Sequence, residues 1–346
     1  MDFSLSEDQS AIAELAQKIF LDQVTDTAQA QQHEYFDDAL WQTLASAGLV
    51  GVGLSEANGG SGMGFIAQCL VLKHMGTVLA QVPLLETLLA AQAIEEAGVV
   101  DTLAKVAAGE GHLSLSLAAG LTLDNSLVSG ELMMVPYAEG AQYIVVQANS
   151  TLLAVSPDCD AVLLTPQRVS NGRSSFMVTL NKAPCTLLGD ADAIAALQQR
   201  QQVATAMVQL GVAEEALRRT ALYTTERTQF GKPIAAFQAV AHRAADAYID
   251  IEALRSVIDG AMWRLDSGAD ASLQAGAARW WANETSHRVS HTAQHLHGGI
   301  GADVEYPLHR YFLWAKQLEF DLGGASQQLA AMGRHLARHD QSGITL

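Results

Sequence analysis

The feature that most constrains this chain is a double change of hydrophobic period along its length. Through residue 110 apolar residues recur at helical spacing, over residues 111–188 they fall in short β-branched or alternating runs, and from residue 189 the helical period returns. A helix lines one face at every third or fourth residue and a strand at every second, so one pattern cannot serve as the other. The layout predicts a mainly α protein with a small β domain inserted. Its parts are an N-terminal helical domain (1–110), a β-barrel-like middle domain (111–188) and a C-terminal four-helix bundle (189–346). A chain of 346 residues is long for a single core, which agrees with three units.

In the first block, Ser4-Leu5-Ser6-Glu7 reads as a capping box ahead of a helix carrying Ile12, Leu15, Ile19 and Phe20. Helices are also expected over 37–47, 65–79 and 82–98. The Gly-rich stretch from Gly51 to Gly64 has neither a preceding strand nor a Lys-Ser/Thr ending, so it reads as a turn rather than a phosphate cradle. In the middle block, strands are expected over 112–117, 143–146, 152–155, 161–164 and 176–180. Asn149-Ser150, Ser156-Pro157-Asp158 and Asn171-Gly172 punctuate them, and Asn171-Gly172 is the strongest hairpin signal. This block is sparse in catalytic side chains and reads as scaffold. Long helices over 193–226, 238–265, 272–296 and 323–337 supply the bundle.

Composition excludes several function classes. The net charge of −17 argues against nucleic acid or an anionic membrane as partner, though an anionic small ligand needs only a local Arg or a helix N-terminus. Apolar residues make up 49% and charged residues 16%, with a mean hydropathy of +0.13, a surface poor enough in charge to imply buried subunit contacts. The three cysteines, Cys69, Cys159 and Cys185, lie far apart and read as reduced, mostly buried thiols. No apolar run reaches the length of a membrane span and no basic leader precedes the first helix, so a cytoplasmic protein is expected.

Two stretches hold ligand chemistry. Residues 227–238, Arg-Thr-Gln-Phe-Gly-Lys-Pro-Ile-Ala-Ala-Phe-Gln, gather a cation, an aromatic ring, a Gly and two amides between two long helices. Arg227 suits a phosphate, Phe230 a flat ring, and Gly231 a close backbone approach. From spacing alone the same stretch serves equally as a helix connection. The second is His295-Leu296-His297-Gly298-Gly299-Ile300-Gly301 with Glu305-Tyr306-Pro307 behind it. As residues, the glycines read equally as a C-cap turn. His295 and His297 diverge on a helix, so no metal site is expected.

These pieces, in order and over nearly the full length, resemble the acyl-CoA dehydrogenases. The matches are Arg227-x-x-Phe230-Gly231-Lys232-Pro233-Ile234-x-x-x-Gln238 and His297-Gly298-Gly299-x-Gly301; Gly48-Leu49-Val50 and Glu56-x-x-Gly59-Gly60 match less sharply. The resemblance implies FAD, enclosed by two subunits, with the ADP half on one and the isoalloxazine mainly on its neighbour. It places Arg227 on the pyrophosphate, Phe230 against the cofactor's aromatic part, Gln238 near the adenosine and the backbone of Gly298 and Gly299 close to the pyrophosphate, with Gly231 and Gly301 also among the cofactor-binding residues. His295 stands where the family usually has Gln, with Gln294 one step earlier.

Two departures from the family bear on function. The family's catalytic Glu falls at Leu322 or, in some relatives, at Ser267, so both places are empty; Asp321 and Asp266 each stand one residue away. The family's Thr-Glu-Pro-x-x-Gly-Ser-Asp loop is missing, residues 133–140 reading Met-Met-Val-Pro-Tyr-Ala-Glu-Gly, and none of the five Trp lies in the middle domain. The resemblance then implies a base-lacking subunit of a heteromeric α2β2 dehydrogenase that acts on acyl-CoA thioesters, steroid side chains among them. A second acyl-CoA dehydrogenase-like subunit supplies the Glu, and an acceptor such as electron-transfer flavoprotein takes the electrons. The alternatives are a homo-oligomer using Asp321 or Asp266, and a non-catalytic structural or regulatory relative.

Overall fold

The computed structural model describes residues 3–31 and 36–339. The N-terminal block holds α1 (Glu7–Gln23), α2 (Asp26–Gln31), α3 (Asp38–Ser46), α4 (Gly64–Val78), α5 (Leu84–Glu96) and α6 (Leu103–Ala107). The capping box of α1 lies two residues beyond the expected one. Ser6 Oγ accepts from the Gln9 N–H at 3.1 Å, and the Ser6 N–H donates to Gln9 Oε1 at 3.0 Å. Phe3 and Leu5 stay exposed, so starting the helix earlier would bury nothing. The Gly-rich stretch is the expected turn. A Cβ at Gly60 would lie 2.1 Å from the Leu54 carbonyl oxygen, and Glu95 of α5 holds the bend by accepting from Ser55 and Asn58.

The middle block has eight strands: β1 (His112–Ser116), β2 (Leu121–Asp124), β3 (Leu127–Pro136), β4 (Ala141–Ala148), β5 (Thr151–Val155), β6 (Val162–Gln167), β7 (Ser175–Pro184) and β8 (Thr186–Gly189). They form two four-stranded sheets, ordered β1-β4-β5-β8 and β2-β3-β7-β6. Val128, Leu132 and Val178 of one sheet share a core with Ile144, Val146 and Leu153 of the other. Sequence reading misses β2, β3 and β8. Register shifts in β3 break its alternation and leave Met133 and Met134 outward. The tight hairpin turn is Asn125-Ser126 between β2 and β3, both at positive φ. Asn171-Gly172 lies instead within a longer loop, residues 168–174, that joins β6 to β7. Of the cysteines only Cys69 is buried, which corrects the expectation for Cys159 and Cys185.

The C-terminal block begins with α7 (Ala191–Glu226), a two-stranded arm of β9 (Thr228–Gln229) and β10 (Lys232–Pro233), and α8 (Gln238–Asp266). It continues through α9 (Ser272–His297), α10 (Leu308–Asp321) and α11 (Ala325–His339). The bundle therefore has one helix more than expected. α10 packs on both α7 and α9 and takes the fourth place, while α11 lies against α9. Leu308, Tyr311, Trp314, Ala315 and Leu318 form the buried stripe of α10. Among the described residues no helix is long and apolar enough to cross a membrane.

One core runs through both helical blocks and reaches Leu113, Leu115 and Val145 on the inner β-sheet. Its tightest seam is between α4 and α7. A Cβ on Gly76 would lie 2.1 Å from the Val208 carbonyl oxygen, and one on Gly211 would lie 2.1 Å from that of Lys73. Backbone meets backbone, so neither neighbour can turn aside. Gly76→Ala or Gly211→Ala is expected to force the helices apart at a cost of about 1–3 kcal/mol or more, read as a lower urea midpoint. An unchanged midpoint in both variants would contradict the seam.

Candidate functional site

The first group of candidate residues sits where α7 ends. Arg227 closes α7 and accepts the Ile234 N–H on its carbonyl at 2.8 Å, which folds the β9–β10 arm back on itself. Phe230 and Gly231 form the arm's two-residue turn at φ +54° and +78°. A positive φ is uncommon for a bulky residue, and Phe230 is 93% exposed. Only the edge of Phe237 supports it, at 6.2 Å, with Lys232 Nζ 4.3 Å from the centre of that second ring. The Arg227 guanidinium is exposed and has no partner among the described residues. Gln238 is exposed at the start of α8, whose N-terminus carries no side-chain cap.

The second group lies at the end of α9, and aromatic contacts hold it beside the first. His297 is buried and stacks on Tyr223, one helical turn before Arg227, at 4.4 Å and 17°. His297 Nδ1–H donates to the Ala293 carbonyl at 2.8 Å, leaving Nε2 to accept from the Tyr306 hydroxyl at 3.2 Å. Burial lowers the His297 pKa, with the Ala293 bond opposing it. Sequence reading gave Tyr223 no role, although it stands one turn from Arg227.

The glycines of this turn divide by cause. Gly301 is buried, and a Cβ there would meet the Gln294 amide at 2.9 Å, so its smallness serves the turn itself. Gly298 takes φ +64° and ψ −140°, a conformation that belongs to glycine. At Gly299 a Cβ would meet nothing within 4 Å, so nothing inside the chain requires glycine there. The Gln294 amide, oriented by its partners, donates to the Gly301 carbonyl at 3.0 Å and accepts from the Ala302 N–H at 2.9 Å. Gln294 therefore serves the turn, while His295 beside it is exposed. Arg227, His295 and Gln238, whose side chains have no partner among the described residues, together with an exposed ring and open glycine backbone, fit an anionic, ring-bearing ligand that approaches from outside the chain.

The third group lines a cleft of about 780 Å³ where all three blocks meet. Glu86 of α5, Met133 of β3, Arg173 of the 168–174 loop, Leu322 and Gln328 are among its walls. Asp321 lies there too, but Arg173 Nη2 holds one of its oxygens at 2.9 Å and Gln317 Nε2 donates to the other at 2.7 Å. Burial works against the Arg173 charge, yet Asp321 and Glu86 outweigh it and raise its pKa, while burial raises that of Glu86. Asp266 is committed elsewhere, accepting the Phe65 N–H at 3.1 Å to cap α4. Neither aspartate foreseen as an alternative base is free. Fully buried Arg279 fixes the end of α10, bonded to Gln209 and to the Leu318 carbonyl. Burial pushes its pKa down to about 10.

Among the described residues no cluster of three or more His, Cys, Asp or Glu is placed to hold a metal ion. A second cavity, of about 500 Å³, lies between α1, α4, α7 and α10. Its charges are mutually paired, Lys73 with Glu214 at 3.0 Å and Arg219 with Asp26 at 2.8 Å. His74 lies in its wall.

Comparison with known proteins identifies the family. The acyl-CoA dehydrogenase N-terminal domain matches residues 6–109 and the C-terminal domain matches residues 192–337. The chain is 34% identical over 382 residues to the acyl-CoA dehydrogenase FadE27 of Mycobacterium tuberculosis, covering 97% of this chain and 99% of the relative. Among solved structures, a variant of the steroid acyl-CoA dehydrogenase Tcur3481–Tcur3483 superposes with a TM-score of 0.94 at 39% identity, covering 98% of this chain and all of the other. The ChsE4–ChsE5 complex of Mycobacterium tuberculosis gives 0.92 at 32% identity, with both chains fully covered. The chain belongs to the acyl-CoA dehydrogenase family, whose members are FAD-dependent oxidoreductases.

Half-buried His74 and buried His297 set an acid limit on this fold. Burial, with a smaller effect of Lys73, lowers the His74 pKa from 6.5 to about 4, and His297 shifts the same way. The folded values lie below the unfolded one, so on acidification the unfolded chain takes up protons first. The stability they contribute is complete above pH 6.5 and is lost as pH falls towards 4. The melting midpoint should therefore drop between about pH 7.5 and about pH 5, and His74→Gln should flatten that drop. An equal slope in the variant would contradict the assignment.

Proposed function

We propose that this chain is the base-lacking subunit of a heteromeric FAD-dependent acyl-CoA dehydrogenase, with α2β2 as the simplest assembly. One observation carries the reading. Arg227, His295 and Gln238 on the ADP side are exposed and without a side-chain partner among the described residues, while the cleft that should hold the chemistry has Leu322 at the base position and the adjoining Asp321 bound on both oxygens. Arg227 would hold the pyrophosphate, with the open backbone at Gly298 and Gly299 beside it and His295 donating in place of the family's Gln. Phe230, carried on the Gly231 turn, would cover the cofactor's aromatic part, and Gln238 would sit near the adenosine. Gly301 keeps the turn folded. The flavin, when bound, supplies the hydride acceptor for α,β-dehydrogenation of a CoA thioester.

The partner subunit supplies the Glu that takes the α-proton, and an electron-transfer flavoprotein is the class of acceptor we assign. Bulky CoA thioesters of the steroid side-chain type are the substrate class, supported by the likeness to the steroid acyl-CoA dehydrogenase Tcur3481–Tcur3483. A self-sufficient homo-oligomer is disfavoured because Asp266 caps α4 and Asp321 is bound on both oxygens.

Expression alone and beside a family partner tests the reading. Flavin should appear only on co-expression, at one per pair of unlike chains. A chain that alone is yellow and bleaches with an acyl-CoA would overturn the proposal, and a colourless complex would favour a structural or regulatory role. In the complex, Arg227→Ala should remove a charge-assisted contact of about 1.5–3 kcal/mol, weakening flavin retention roughly 10- to 100-fold without dissociating the chains. An unchanged flavin-to-protein ratio would reduce residues 227–238 to a connector.

A further inference from the structure

The cleft lined by Leu322 is crossed by a strut. Residues 168–174 leave the β-sheet and bond to both helical blocks. The Ser170 N–H and hydroxyl donate to Gln317 Oε1 of α10 at 2.9 and 2.8 Å. The Asn171 carbonyl accepts from Gln81 Nε2, just ahead of α5, at 2.9 Å. Arg173 then spans the floor, Nη2 to Asp321 at 2.9 Å and Nη1 towards Glu86 at 3.8 Å. The Tyr137 N–H holds the loop's exit by donating to the Ser174 carbonyl at 3.0 Å.

Two properties make this more than a surface ion pair. The side chains of Arg173, Glu86 and Asp321 are only 11%, 7% and 14% exposed, so parting them would leave charges buried and unpaired. The three also come from three different parts of the chain: α5, the loop between two strands, and the end of α10. Together they tie the cleft's walls to one another across its floor. They also put a guanidinium and two carboxyl groups on the floor of the cleft, and covering them with a flat ring would cost these groups their remaining hydration.

We propose that Arg173 closes this chain's own cleft to a flavin ring, so that each pair of unlike chains carries one flavin instead of two. The inference rests on the heteromeric reading above. In the reciprocal site the ring would lie in this cleft and the ADP half on the partner subunit. Leu322 removes the base from that site, and the Arg173 strut puts charged groups on the floor against which the ring would rest. The two changes act on separate atoms and can be tested separately.

The test uses the co-purified complex with the partner chain unaltered. Arg173→Met/Asp321→Asn removes the ion pair while keeping side-chain length, and Arg173→Met/Glu86→Gln/Asp321→Asn also neutralises Glu86 should its loss of a partner impair folding. Each complex is incubated with excess FAD and desalted. Flavin per protein is read from absorbance, and assembly from size-exclusion chromatography. The wild-type complex should hold one flavin per unlike pair, and the variants should rise towards two. An assembled triple variant that stays at one would overturn the strut and leave the heteromeric reading standing. Two flavins per pair in the wild type would overturn that reading of one shared site, and the strut with it.

Discussion

The backbone contact between α4 and α7 at Gly76 and Gly211 is the constraint on which the rest of this molecule depends. α7 touches each of the regions described above. Its first half, through Thr205, reaches the cleft; its middle seats against α4; and its end carries Tyr223 and Arg227. Fixing α7 against α4 at a distance that only glycine allows makes the N-terminal block and the bundle one body. The distance from cleft to arm is then set by a single straight element rather than by loops.

From that frame the two ends of α7 meet different physics. At the C-terminal end the polar groups face outward, and the structure supplies supports rather than partners: Tyr223 under His297, Tyr306 behind it, Gln294 closing the turn. At the cleft the charged groups face each other. Arg173 and Gln317 hold the two oxygens of Asp321, and Glu86 lies 3.8 Å from the guanidinium, with Arg173 Nε and one Glu86 oxygen left without a partner among the described residues. An outward-facing helix end and a cleft whose charges pair inward thus coexist in one chain, and each can be recognised by where its hydrogen bonds end.

Much of this could be read from the sequence because period and residue type act locally. The β insert, the long helices and the 227–238 stretch each announce themselves within a dozen residues. The parts that could not be read depend on distant partners. α10 looks like a connector until α7 and α9 bury its Tyr311 and Trp314, with Arg279 gripping its end. Asn171-Gly172 carries a tight-hairpin signal, yet its loop is longer because it must reach Gln81 and Gln317. Adjacent Gln294 and His295 are indistinguishable as text, and only the turn's closure shows which points inward. Arg173 has no local signature, since its partners lie at positions 86 and 321.

The same contrast bears on how a chain can keep a cofactor motif without keeping the chemistry. An ADP-side site needs outward donors on a rigid end, and these remain useful to a neighbouring subunit whatever happens inside. A chemical site needs an unpaired base in a partly dry cleft, which is costly to maintain because buried charge without a partner destabilises the fold. Where a neighbour supplies the base, replacing the local one by Leu322 and pairing the remaining carboxylates with Arg173 relieves that cost. On the heteromeric reading proposed above, the exposed arm and the inward-paired cleft would be two consequences of one division of labour between unlike chains.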